Sequence, residues 1–252
     1  MDLTLYGVDL WAGALIFARI GALIMLLPGF GEPSVPPQVR LGLAILVTAC
    51  IAPSLAPTMP AAPGEPWAMA AVLVQEVLIG VLLGGALRLV MSALASAGQI
   101  MGLETGLAFA QTTDPTQTQQ GQVFAVFLGL LGVALVFATD LHHVFLRGLA
   151  GSYAAFAPGA QPAAGDTAAL AIEATSQGFR VALQMAAPVV VGGLIFRAGL
   201  GVLSRLIPTI QVFFVALPLQ LMGGFMLIAP GLSAGMLVWL DSVERFASQW
   251  AG

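Results

Sequence analysis

Long apolar runs, each cut short by a cluster of Gly and Pro, make up nearly the whole chain. The first covers residues 10–27 and stops at Pro28 and Gly29; the stretch GFGEPSVPPQVR then leads to a second run that begins near Val39. Proline fixes φ and has no N–H to donate, so the pattern predicts a helical hairpin with a stiff connection. The second run ends in PSLAPTMPAAPGEP, whose repeated Pro predicts an extended, polyproline-like linker. A third run covers 67–97 and carries Glu76 and Arg88, whose spacing on a helix puts them on different faces and out of reach of each other.

Residues 98–122, GQIMGLETGLAFAQTTDPTQTQQGQ, interrupt the apolar pattern with Gly, Thr and Gln and predict a functional loop. Non-helical backbone at membrane depth has to be buried in protein or line an aqueous cavity, because lipid cannot satisfy its peptide groups. Residues 123–137 predict a helix that continues through DLHHVFLRGL, on which Asp140 and Arg147 nearly share a face. The segment APGAQPAAGD separates this part from two long helices predicted over 167–206 and 212–239, which form a second hairpin turning at IPTIQ. Pro188, Pro218 and Pro230 predict kinks in them, and Glu173 and Arg180 share a face. No repeat of about 20–50 residues is present, which excludes a solenoid.

Composition turns this pattern into a membrane assignment. Hydrophobic residues make up 59% of the chain and charged residues 8%, against roughly 45–50% and about 25% in soluble domains. The mean hydropathy is +0.97. The uncharged intervals 41–64, 115–139 and 206–240 each reach the roughly 20 residues that span a bilayer as helix. Asp2 and Asp9 precede the first run without a basic segment, so a removable signal peptide is not expected. A net charge of −4 with scattered Arg offers no surface for nucleic acid. The lone Cys50 permits no intrachain disulfide and reads as a buried small hydrophobe.

The eight basic residues are all Arg, whose planar donor fork suits buried protein contacts. Arg19, inside the first apolar run, would cost about 2.5–3.5 kcal/mol facing lipid, so it must face protein or water. An interface role is favoured for it over a pore-lining one. Glu76, Arg88, Glu104, Asp140, Arg147, Glu173, Arg180, Arg197 and Arg205 read the same way, as ion-pairing contacts between subunits or within the chain. Asp140, His142 and His143 raise a metal site or proton relay, but adjacent histidines on a helix point to different faces, and the chain has no third His and no Cys near them in the sequence. Polar packing at a helix end is the reading adopted, and no metal or other cofactor is expected. Gly80 with Gly84, Gly102 with Gly106 and Gly231 with Gly235 match the spacing that lets helices approach closely. No phosphate-binding loop, nucleophile triad or paired-carboxylate spacing suggests catalysis.

Five stretches then match a known family in order and spacing: RIGALIMLLPGFGEPSVPPQVRLGLAIL, QEVLIGVLLGGALRLV, GLAFAQTTDP, ATDLHHVFLRGL and VFFVALPLQLMGGFML. Together they resemble the FliR family of flagellar biosynthetic proteins, related to the SctT proteins of type III secretion. The resemblance implies an all-α, membrane-associated fold of kinked helical hairpins, similar to a P-type and a Q-type export gate subunit fused in one chain. Residues 1–165 would be the P-like part, with a pore loop at 98–122, and 166–252 the Q-like hairpin. It implies a non-enzymatic subunit of the flagellar export gate in the bacterial inner membrane, within the basal body. There it would assemble with P-type and Q-type subunits, contact the B-type switch protein and membrane lipid, and form a conduit for unfolded secreted substrates. In the family a pore-closing loop falls on Gly106, Leu107, Ala108, Phe109, Ala110, Asp114 and Pro115, with Phe109 the main plug. Thr113 departs from the larger apolar residue expected before Asp-Pro. A small-molecule secondary transporter is the alternative, but such proteins show paired repeats and a midplane cluster of binding residues, and neither is evident here.

Overall fold

The computed structural model describes residues 4–5, 8–107, 123–159, 164–206 and 212–249. Within them lie eight α-helices and one short antiparallel ribbon, Thr4–Leu5 with Val8–Asp9. The helices are α1 (Leu10–Leu26), α2 (Pro37–Leu55), α3 (Pro66–Met91), α4 (Ala93–Glu104), α5 (Val123–Ala138), α6 (Leu141–Ala155), α7 (Ala164–Leu206) and α8 (Val212–Ser248). The all-α class holds. Four helical stretches, residues 37–58, 66–104, 165–206 and 216–248, are long and apolar enough to cross a bilayer, and the bent pair α5 and α6 would make a fifth span.

Local chemistry accounts for many of the boundaries. The Asp9 carboxylate accepts from the Trp11 N–H at the start of α1, satisfying a donor that a helix N-terminus leaves free. Pro28 follows the end of α1, and Gly29 takes φ 84°, which only glycine adopts at little cost. Pro37 opens α2, where its missing N–H costs nothing.

Several boundaries differ from those expected. α2 runs through Pro53 to Leu55 and a 3-10 turn carries on to Thr58, so the extended linker is shorter than the run of prolines suggested. The predicted loop at 98–122 begins later, because α4 stays helical to Glu104. α8 runs on to Ser248. The helix expected to pass unbroken from 123 through DLHHVFLRGL breaks at Thr139–Asp140, with a 76° bend between α5 and α6. Asp140 sits there in the left-handed region, at φ 57°. Asp140 and Arg147 therefore share no helix face. No proline lies at this break, while Pro188, Pro218 and Pro230 lie inside helices that continue past them. Cys50 is exposed rather than buried, as expected for one face of a helix that leaves only Ala44, Thr48 and Ala52 buried. The IPTIQ turn lies outside the described residues apart from Leu206 before it and Val212 after it.

The chain forms two compact units. One comprises residues 1–90, 136–175 and 243–252, the other 91–135 and 176–242. In the first, Leu15, Ile16 and Ile20 of α1 are buried, as are Ile79 and Leu83 of α3, Phe145 and Leu149 of α6, and Val243 and Phe246 at the end of α8. Gly80 and Gly84 let α3 lie directly on α1. A Cβ at Gly84 would stand 2.9 Å from Leu26 Cβ and 3.0 Å from the Leu23 carbonyl, and one at Gly80 would stand 2.9 Å from Ala22 Cβ. Gly231, by contrast, faces open space. In the second unit Leu94 and Met101 of α4, Leu128 of α5, Val181 and Val189 of α7, and Trp239 of α8 are buried. Large apolar residues on the outer faces, among them Leu130, Ile195 and Met226, remain exposed, a surface suited to lipid or to other helices.

Candidate functional site

The described root of the mid-chain loop is held by three helices of the second unit. α4 ends at Glu104, the next N–H, of Thr105, still reaches the Met101 carbonyl at 3.0 Å, and Gly106 turns left-handed at φ 81° with its N–H on the Leu103 carbonyl at 3.2 Å. A glycine in that position is a common way to end a helix and redirect the chain. Thr105 is fully buried, and its hydroxyl donates to the Gly102 carbonyl at 3.2 Å. Its methyl lies over the bare backbone of Gly224 on α8, where a Cβ would collide with it.

Gln220, one turn earlier on α8, donates from Nε2 to the Glu104 carbonyl at 2.6 Å. That carbonyl is one of those a helix C-terminus leaves without an intrahelical partner. The Glu104 carboxylate pairs with Arg197 of α7 beside the bare backbone of Gly193. With Arg197 half exposed, the ion pair supplies orientation more than stability, since pairs in contact with water are worth about 0–1 kcal/mol. The Gln220 bond matters more. Gln220→Leu should cost about 1–3 kcal/mol by leaving a carbonyl unsatisfied, read as a lower thermal midpoint of the purified chain, whereas Gln220→Glu would set a carboxylate against the same carbonyl and should be worse.

The first unit holds a second cluster. Arg19 is fully buried and uses all five of its guanidinium N–H groups. Nε and Nη2 donate to the two oxygens of Glu76 at 2.6 and 3.1 Å, Nη1 to the Ser152 carbonyl at 3.1 Å and hydroxyl at 3.5 Å, and Nη2 also to the Phe156 carbonyl at 2.9 Å. The guanidinium carbon lies 4.1 Å from the centre of the Tyr153 ring, a favourable cation–π arrangement. The two carbonyls belong to the last turn of α6 and its end, so the arginine also closes that helix. The network is structural: every donor has a partner and nothing in it is free to act as acid, base or nucleophile.

These clusters place the singled-out residues as follows. Arg19 with Glu76, and Glu104 with Arg197, pair within the chain. Arg88, Arg147, Glu173, Arg180 and Arg205 are exposed. Glu173 accepts from Gln249 at 3.3 Å. Asp140 approaches His142 and His143. Of the loop residues, Gly106 and Leu107 are described, while Ala108, Phe109, Ala110, Asp114 and Pro115 lie outside the described residues. Sequence reasoning did not single out Gln220, Ser152 or Tyr153. The available signal was a polar side chain inside an otherwise apolar run, and Gln220 in VFFVALPLQLMGG fits it.

Residues 10–246 match the family model of bacterial export proteins, family 1. The flagellar biosynthetic protein FliR of Caulobacter vibrioides is 39% identical over 233 residues, covering 92% of this chain and 93% of the relative. FliR of Escherichia coli K12 is 32% identical over 84% of this chain and 80% of its own. FliR of Bacillus subtilis is 27% identical over 88% and 86% respectively.

Proposed function

Because the chain belongs to the bacterial export proteins, family 1, and within it to the flagellar FliR proteins, we propose that it is a structural and channel subunit of the flagellar export gate. It is a component of the flagellar export apparatus. In this reading it combines with P-type and Q-type subunits into a helical assembly in the inner membrane, within the basal body, contacts the B-type switch protein and gives unfolded substrates a conduit. Residues 1–165 act as the P-like part and 166–252 as the Q-like hairpin, so one copy offers two kinds of edge to its neighbours, a heterologous arrangement suited to closing a ring.

The observation that carries the channel role is the root of the loop. A tract with too many polar residues for a lipid-facing helix leaves α4 through a left-handed glycine, and its first residues are clamped by Gln220 and Gly224. A polar tract rooted on a fixed base suits a plug. It can block a passage with Phe109, by filling and dewetting it, while the base stays in place.

Two experiments test this. Co-expression with P-type and Q-type partners, followed by native mass spectrometry, should give a defined hetero-assembly; recovery of the chain alone or as a homo-oligomer with both partners present would overturn the gate assignment. In an assembled gate, Phe109→Gly should raise ion leakage, and unchanged leakage would remove the plug role while leaving membership of the gate intact.

A further inference from the structure

The break between α5 and α6 gathers three metal-ligating side chains that neither the pairing networks nor the loop uses. Asp140 is the only described non-glycine residue with positive φ. It occupies the N-cap of α6, where a carboxylate ordinarily accepts from a first-turn N–H. Here it makes no such bond. Its Oδ1 instead lies 3.6 Å from Nδ1 of His143 and 4.0 Å from Nε2 of His142. The two imidazoles stand face to face, ring centres 4.1 Å apart and tilted by 38°. Adjacent positions on a helix leave it in different directions, yet the two side chains fold back so that their rings meet.

These gaps are too wide for direct hydrogen bonds. They are close to the spacing of ligands around one ion: with bonds of about 2.0–2.2 Å in tetrahedral geometry, neighbouring ligand atoms stand about 3.4 Å apart. One ligand atom from each residue lies within 4.8 Å of the others. His142 is the anchored member, largely buried and with its ring 5.2 Å from that of Phe137, which in turn packs edge-on against Phe30 at 5.4 Å. Asp140 and His143 are exposed, so their side chains can turn to bring the ligand atoms, now within 4.8 Å of one another, to the spacing of about 3.4 Å that one ion requires.

We propose that Asp140, His142 and His143 form a binding site for one divalent transition-metal ion. Two imidazole nitrogens and one carboxylate oxygen select zinc, cobalt, nickel or copper over magnesium and calcium, which prefer all-oxygen sites. Three protein ligands leave the fourth position open to water or to a donor from another subunit. The bound ion joins the carboxylate at the break to the first turn of α6 and so braces the 76° bend.

The test uses the full chain, purified with a tag that contains no histidine and stripped with a chelator. Titration with Co²⁺ should give one equivalent of binding with visible ligand-field bands, displaced by Zn²⁺ and untouched by excess Mg²⁺. His143→Ala and Asp140→Asn, both at exposed positions and so expected to fold, should each weaken binding by about tenfold or more, with circular dichroism confirming the helical content. Absence of stoichiometric binding, or equal affinity in the wild type and both variants, would overturn the site.

Discussion

Replacing Glu76 by alanine should destabilise the folded chain by about 3–5 kcal/mol, the usual consequence of leaving a buried charge without its partner. Arg19 and Glu76 are both fully buried, so water cannot take the place of the lost carboxylate. Two of the five guanidinium N–H groups would lose their acceptors, while the other three stay committed to Ser152 and Phe156. Glu76→Gln should be milder, since its amide keeps one acceptor oxygen where the carboxylate supplies two. The double replacement Arg19→Met with Glu76→Met should recover much of the loss, because apolar substitutes for a buried pair can be close to neutral. Chemical denaturation of the detergent-solubilised chain, followed by circular dichroism, measures all of these. A change in Glu76→Ala of no more than about 0.5 kcal/mol, the range of ordinary surface substitutions, would mean that water reaches this pair in solution.

Gly98→Ala should be the second severe change. A Cβ at position 98 would lie 2.5 Å from both the Cα and the N of Ala125 and 2.6 Å from the Phe124 carbonyl carbon. These are backbone atoms of α5 and cannot rotate aside, so α4 and α5 have to separate to admit one methyl group. Overpacking of this kind costs about 1–3 kcal/mol, sometimes more, and a rigid backbone neighbour argues for the upper end. Gly85→Ala supplies the control in α3: nothing lies within 4 Å of its Cβ position, and alanine is the better helix former by about 0.5–1 kcal/mol. The midpoint should therefore fall for Gly98→Ala and hold or rise for Gly85→Ala. Equal responses would show that helix propensity, and not close approach, governs both sites.

Most of the helices were legible along the chain because apolar length and Gly–Pro interruption are local signals. The end of the first helix was legible too, because Pro28 and Gly29 stand at it, whereas the second helix starts at Pro37, two residues before the expected Val39. The 98–104 segment shows where this fails: two glycines with Gln99 and Glu104 read as loop, yet the close approach of α5 at Gly98 makes glycine favourable there and the helix continues. The bend at Thr139–Asp140 is the opposite case. TDLHH contains neither Gly nor Pro, so nothing local announced that Asp140 would turn left-handed or that both imidazoles would lie 3.6 and 4.0 Å from one of its carboxylate oxygens.

By itself the sequence determined that the chain is helical and made for a membrane, since bilayer thickness and the need to satisfy every backbone group leave few other uses for such long uncharged runs. It also determined that Arg19 needs a partner, because an unpaired charge in an apolar run is too costly to leave. Only the tertiary structure decided that the partner is Glu76, 57 residues away, that Gln220 caps a helix 116 residues before it, and that Cys50 faces outward. An apolar pattern encodes how strongly a position resists water; which group meets it depends on how distant helices pack, and no local window contains that information.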